Sequence, residues 1–235
     1  MDLNSNQITS SKSVSLYRSA NTSDITETLA NEVRVALIYN GISHTVMMAT
    51  PANLEQFAIG FTLSERIVDQ LTEIKGVDIE EVDNGILIHI EITNRCFMAL
   101  KEQRRSMAGR TGCGLCGVAQ LEHAMKPVKQ VSMQRRFNIN YLPATLDAIA
   151  AQQSVFNETG ATHAAMVLNR TGDICATFED VGRHIALDKL IGAVARHDCP
   201  VPQAILLTSR ASFEMVQKAA SANIEIIFAI SAATA

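Results

Sequence analysis

No uncharged apolar run in these 235 residues approaches the roughly 18 that span a bilayer, so no membrane segment is expected. The stretch from Met1 to Thr28 is half Ser, Thr and Asn and lacks an apolar h-region, so it does not read as a signal peptide. Positive charge is not in excess. Twenty Lys and Arg face 24 Asp and Glu, for a net charge of −4 and a pI near 5.9. That excludes a bulk nucleic-acid binder but leaves room for a local basic face that holds an anionic ligand. Cysteine is sparse and odd in number, at five, with only two close in sequence. With no export signal the thiols are expected to stay reduced, which predicts a cytoplasmic protein. There is no internal repeat, and no low-complexity tract beyond the amino-terminal tail. What is plentiful is apolar: 47% of residues. A chain of this length buries roughly 70–75% of its unfolded surface, which excludes a collagen, a disordered chain and a disulfide miniprotein. It predicts one large domain or two small ones.

The first eleven residues read as disordered, with an edge strand at 13–17, where Val14 and Leu16 alternate with serines. Strands at 33–39 and 42–48 flank Asn40-Gly41, a pair that tolerates the positive φ angles of a type I′ turn. Thr50-Pro51 reads as an N-cap with Pro at N1, opening a helix to about Arg66. A second hairpin is expected at 77–82 and 86–92. A helix at 97–107 follows, with Lys101, Arg104 and Arg105 on one face. From there strands and helices alternate: helix 143–154, strands 162–168 and 173–178, helix 181–196, strand 204–208, helix 211–222 and strand 224–230. That order argues a layered α/β domain with a partly parallel sheet.

The strongest chemical signal is Gly109-Arg110-Thr111-Gly112-Cys113-Gly114-Leu115-Cys116-Gly117, with four glycines in nine residues. A structural zinc site needs a second ligand pair, and Cys96, Cys175 and Cys199 stand alone. A zinc deaminase needs His-x-Glu before Pro-Cys-x-x-Cys; here no proline precedes Cys113 and His163-Ala164-Ala165 comes afterwards, without the glutamate. Gly112-x-Gly114-x-x-Gly117 matches a dinucleotide fingerprint literally, but a basic helix precedes it and no acid follows at the required distance. Thiol chemistry remains, beside the reading of two unreactive thiols in a loop. Lys101, Arg104, Arg105 and Arg110 lie near Cys113 in sequence and would favour its thiolate.

Taken with Asn40-Gly41-Ile42-Ser43-His44, Glu55-Gln56-Phe57-Ala58-Ile59-Gly60-Phe61, Glu179-Asp180-Val181-Gly182-Arg183-His184, Ala186-Leu187-Asp188-Lys189, Ser209-Arg210-Ala211-Ser212 and Ser231-Ala232-Ala233-Thr234, this motif resembles the formate dehydrogenase accessory sulfurtransferases (FdhD). The resemblance covers nearly all of 33–235. It implies a cytidine deaminase-like three-layer α/β core without zinc, joined to a smaller amino-terminal α+β domain. The division it suggests is a tail at 1–29, an α+β domain at 30–125 and a deaminase-like domain at 126–235. It implies a homodimer that takes persulfide sulfur from a cysteine desulfurase and hands it to the molybdenum of the bis-molybdopterin guanine dinucleotide cofactor for formate dehydrogenase. Cys113 would carry the persulfide and Cys116 would assist or relay. Proteins of this kind continue past position 235 into a further helix and strand, so the resemblance predicts a sheet one strand short. A non-catalytic cofactor chaperone of formate dehydrogenase is the alternative reading.

A cofactor with two diphosphates needs donors and positive charge, and in open α/β sheets ligands gather at the carboxyl ends of strands. Ser209, Arg210 and Ser212 after one predicted strand, and Ser231 and Thr234 after another, are the candidates, with Arg110 near the thiols. Serine capping of a helix explains the serines equally well. Asp180 and His184 are candidates for reading guanine, with GDP as the mimic, because a carboxylate accepts from both the ring N–H and the exocyclic amine. The plainer alternative makes Asp180 an N-cap and His184 with Asp188 an i, i+4 pair. His163, in an apolar strand, reads as a core histidine.

Overall fold

The structure, a computed structural model, describes residues 8–18, 20–108 and 130–234. Its elements make a mixed α/β fold with two four-stranded sheets and a separate hairpin. The hairpin pairs β1 (Thr9–Arg18) with β2 (Asn21–Ala30), antiparallel, with Val14 opposite Ile25. The edge strand expected at 13–17 lies within β1, and from Thr9 on the expected tail is a two-stranded ribbon whose second strand hid behind a polar composition.

The first sheet has the order β4 (Ile42–Ala49), β3 (Val33–Tyr39), β6 (Gly85–Ile92), β5 (Ile74–Val82). β3 runs antiparallel to β4 and parallel to β6. Asn40 and Gly41 take φ of 46° and 81°, the primed turn expected from their chemistry. Strand alternation puts Val35, Leu37 and Tyr39, with Ile86, Ile88, Ile90 and Ile92, on one buried face. That face packs on Leu54, Phe57, Ala58 and Phe61 of helix α1 (Leu54–Ser64). Helix α2 (Asn94–Ala108) closes the cluster with Cys96 and Leu100.

The second sheet has the order β10 (Ile227–Ala229), β9 (Ala204–Leu207), β7 (His163–Leu168), β8 (Ile174–Asp180). Only β9 and β10 are parallel; β7 is antiparallel to both of its neighbours. Helices cover both faces. Ala165, Val167, Ile205 and Leu207 pack on helices α5 (Arg183–Arg196) and α6 (Phe213–Ser221). Ala164, Met166, Leu168 and Leu206 pack toward Leu142 and Ile149 of α3 (Leu142–Gln152). A short helix, α4 (Ser154–Thr159), follows α3 and was not expected.

The two sheets meet through α1 and α5. A Cβ built on Gly60 would lie 1.7 Å from the Asp188 carbonyl oxygen, and one on Gly192 would lie 1.9 Å from that of Gln56. Glycine at both positions lets the backbones approach where any side chain would collide. Two buried ion pairs lock the contact. Lys218 of α6 donates to both carboxylate oxygens of Asp188 at 3.0 Å, to Ser64 Oγ at 3.0 Å and to Glu65 at 2.8 Å. Burial alone would lower the Lys218 pKa, but Asp188 and Glu65 outweigh it and hold it above the ordinary lysine value. Lys189 donates to Asp180 Oδ2 at 2.7 Å and to the carbonyls of Thr50 and Glu179 at 3.1 and 3.2 Å.

These bonds correct three local expectations. Thr50 is not an N-cap; its amide, carbonyl and hydroxyl bind Asp180, Lys189 and the Val181 amide, and α1 begins three residues later than that reading requires, after Asn53 at φ 52°. Asp180 ends β8, and Gly182 is the N-cap of α5. Asp188 does not pair with His184, because Lys218 and Ser64 hold its carboxylate.

Gly60→Ala and Gly192→Ala are each expected to destabilise the fold by at least about 2 kcal/mol in urea unfolding, as overpacking at a backbone contact does. Gly76→Ala, where an added Cβ meets nothing within 4 Å, is expected to stay within about 0.5 kcal/mol of the parent.

Candidate functional site

One edge of the second sheet gathers the carboxyl ends of β8, β9 and β10, the start of β7, and the first turns of α5 and α6. Residues 209–212 leave β9 and residues 231–234 leave β10, and the two segments run side by side. Ala211 bridges Ala233 in parallel, and the Thr234 amide donates to the Ala211 carbonyl at 3.1 Å. The structure thus brings Ser209, Arg210, Ser212, Ser231 and Thr234 to one place. His184 joins them from α5, its Nε2 2.7 Å from Glu214 Oε2 in the first turn of α6.

The electrostatics of this edge run against ordinary helix chemistry. Carboxylates suit the positive end of a helix dipole, yet the first turn of α5 holds Arg183 and His184 and no acid. Among the described residues, Arg183 Nε and Ser212 Oγ are buried without a hydrogen-bond partner, and Ser212 caps α6 without a side-chain bond. Arg210 is exposed and has no ion pair among the described residues. Ser209 is buried and spends its hydroxyl on the Arg210 carbonyl at 3.2 Å, whereas Ser231 and Thr234 face solvent. His163 sits half-buried opposite Asp180. Burial, then Arg183, pushes the His163 pKa below 6.5, and the same two causes lower His184 against the pull of Glu214. Both imidazoles are thus biased toward the neutral form, and the fixed positive charge comes from Arg183 and Arg210. Donors without acceptors, beside two arginines, suit an anion with several oxygens such as a diphosphate. A cleft of about 740 Å³ adjoins this edge, lined by Leu146, Ile149, Phe156, His163, Thr208 and Ile230 among others.

Asp180 does not share this exposure. It is 0% exposed. Its Oδ2 accepts from Lys189 and the Thr50 amide and its Oδ1 from the Gly182 amide at 2.8 Å. Burial drives its carboxyl up and the Lys189 amine down, each against the attraction of the other. The guanine-reading role expected for Asp180 is corrected on this geometry: the carboxylate is sealed from ligand and already shared among internal donors. Glu179 is likewise occupied, accepting from the amides of Val155 and Phe156 and from the Thr162 hydroxyl at 3.0, 2.8 and 2.9 Å, which fixes the start of α4. Sequence reasoning passed over Arg183 and set His163 aside as core. A cation in the first turn of a helix was the signal available for Arg183.

Cys113, Cys116 and Arg110 lie outside the described residues. The other thiols are placed. Cys96 is buried, with Sγ 3.3 Å from Glu73 Oε1. Cys175 is exposed, and Cys199 is buried with its pKa pushed up to about 11 by burial first, then by Asp198 and Cys175. At neutral pH Cys199 is a protonated thiol, a poor nucleophile. Among the described residues no group of three or more His, Cys, Asp or Glu side chains could hold a metal ion, and no helix is long and apolar enough to cross a membrane.

Asp180→Ala leaves Lys189 buried and unpaired, so a loss of about 3–5 kcal/mol in urea unfolding is expected. The lowered pKa values of His163 and His184 set the sign of the pH dependence expected for an anion such as GDP at this edge. An anion favours the charged imidazole, so protonation strengthens binding. Affinity measured by calorimetry is expected to rise as pH falls below 6.5, and this rise is expected to shrink in His184→Gln.

Comparison with known proteins agrees in sequence and in shape. The family model described as the FdhD/NarQ family matches residues 30–235. A relative named "Sulfur carrier protein FdhD" from Shewanella oneidensis is 62% identical over 234 residues, covering the whole of this chain and 84% of its own length. A crystal structure of a protein described as a formate dehydrogenase accessory protein, from Desulfotalea psychrophila, superposes with a TM-score of 0.68 at 19% identity, over 97% of this chain and 85% of that one. The last likeness is one of fold. With the family model spanning both sheets and the relative matching from end to end, the chain belongs to the FdhD/NarQ family.

Proposed function

We propose that this protein is a sulfurtransferase that carries persulfide sulfur from a cysteine desulfurase to the molybdenum of the bis-molybdopterin guanine dinucleotide cofactor, as formate dehydrogenase requires. The observation that carries the reading is the conjunction of Cys113-Gly114-Leu115-Cys116 in the sequence with Arg183 Nε and Ser212 Oγ, buried without a partner among the described residues, and the exposed Arg210 beside them at the sheet edge. One supplies a sulfur nucleophile and the other a berth for the cofactor's diphosphates. The relative named as a sulfur carrier supports the assignment of chemistry. The cofactor is substrate here, with GDP as its mimic. His184 and Arg210 would orient a diphosphate, Ser209, Ser231 and Thr234 would line the approach, and Arg110 would add charge near the thiols. We assign the second sheet and its covering helices to the deaminase-like core, and place the protein in the cytoplasm as a homodimer.

The transfer balances in two steps. The Cys113 thiolate attacks the outer sulfur of the donor persulfide; a new S–S bond forms, the donor's S–S bond breaks, and the donor cysteine leaves as thiolate. The Cys116 thiolate then attacks the Cys113 sulfur, and the outer sulfur departs as sulfide to the metal. The resulting Cys113–Cys116 disulfide takes two electrons and two protons from a cellular dithiol, which is oxidised to its own disulfide.

Incubation with a cysteine desulfurase and cysteine is expected to add about 32 Da to the peptide containing Cys113. Failure to find that mass counts directly against sulfur transfer. Cys113→Ala is expected to give formate dehydrogenase that contains metal but lacks activity. Fully active enzyme from that variant would instead indicate a cofactor-binding chaperone without transfer chemistry.

A further inference from the structure

The opposite edge of the second sheet holds a second charged feature that sulfur transfer does not use. Arg135, Arg136 and Phe137 approach it on a segment without regular secondary structure, Arg170 sits in the turn between β7 and β8, and Gln203 and Glu225 precede β9 and β10. Together they line an open cleft of about 800 Å³. Among the described residues three arginines face one carboxylate, on a chain whose net charge is −4. Among the described residues no carboxylate lies within ion-pair distance of Arg135, Arg136 or Arg170. Glu225 is already engaged. It accepts from the Ser132 hydroxyl and from the Arg135 amide at 2.6 Å.

From this geometry we infer that the cleft is a docking site for an acidic segment of a partner protein. An arginine fork binds carboxylate and phosphate alike, so the choice rests on what surrounds it. Phosphate sites add backbone amides, supplied by glycine loops or open helix starts. Among the described residues no glycine lines this cleft. Three amides beside it are already taken: Asn138 accepts from that of Asn140, Asn223 from that of Ser132, and Glu225 from that of Arg135. What remains is a set of guanidinium groups distributed around an open, partly apolar trough, which suits an extended chain bearing several carboxylates. The inference stands independently of sulfur transfer, since it uses none of the residues assigned to that step.

The test is fluorescence anisotropy with a short labelled peptide of alternating glutamate and glycine, added to the full chain at about 50 mM salt, where charge pairs are weakly screened. Binding is expected, weakened roughly 2–5-fold by each of Arg136→Ala and Arg170→Ala and unchanged by Lys12→Ala at an exposed position of β1. Both substituted side chains are exposed, so the variants should fold, and matching thermal melts check it. Three results overturn the proposal: no binding, binding by the Arg136 and Arg170 variants as tight as by the parent, or full displacement of the peptide by inorganic pyrophosphate at equal concentration, which would mark a phosphate pocket.

Discussion

The contact between Gly60 and Gly192 is the constraint from which the rest of the architecture follows. α1 belongs to the first sheet's core and α5 to the second's, and each helix presents a bare backbone to the other. At such an approach the two halves share an interior. The buried pairs of Lys218 with Asp188 and of Lys189 with Asp180 then fix α5 in rotation as well as position, because their partners come from α1, α6, β8 and the Thr50 loop. Isolated buried charges would be costly, and here each is surrounded by donors or acceptors that offset much of the desolvation.

This explains why one stretch of sequence serves two purposes. In residues 179–189 the acids and Lys189 turn inward and hold the fold, while Arg183 and His184, in the first turn of α5, remain at the sheet edge. The inward set positions the outward set. Asp180 fixes the Gly182 amide, and the next residue begins the helix that carries the arginine. Polar groups spread over two helix starts and two strand ends keep a common geometry only on such a rigid frame, and preorganised donors gain most when they do not have to reorganise.

The regular parts of the fold were legible in the sequence for simple reasons. Val35, Leu37 and Tyr39 alternate, Asn40-Gly41 dictates its turn, and Ile86 to Ile92 places an isoleucine at every second position. Elements whose signals were weak or contested were misread. β1 and β2 are polar strands, so composition suggested a tail. Thr50-Pro51 carries a local cap signature, but tertiary partners 130 positions away claim the threonine. Asp180 looks like a surface N-cap and Asp188 like one half of a surface i, i+4 pair; only the lysines that meet them in space reveal that they are interior, and spacing alone encodes no such meeting. The carboxyl-end loops were found because topology places them there. Arg183 escaped because the motif around it was read for its acids.

The interlocked helices also bear on how the chain reaches its native state. Ser64 meets Asp188 across 124 positions, and Lys218 meets Ser64 across 154. Neither sheet can finish its core until the other half has been synthesised and arrives, so contact order is high and the rate-limiting step is expected to be a late, global docking event. On the ribosome the first sheet would emerge with one flank of α1 still waiting for its counterpart, a transient apolar surface of the kind that chaperones recognise.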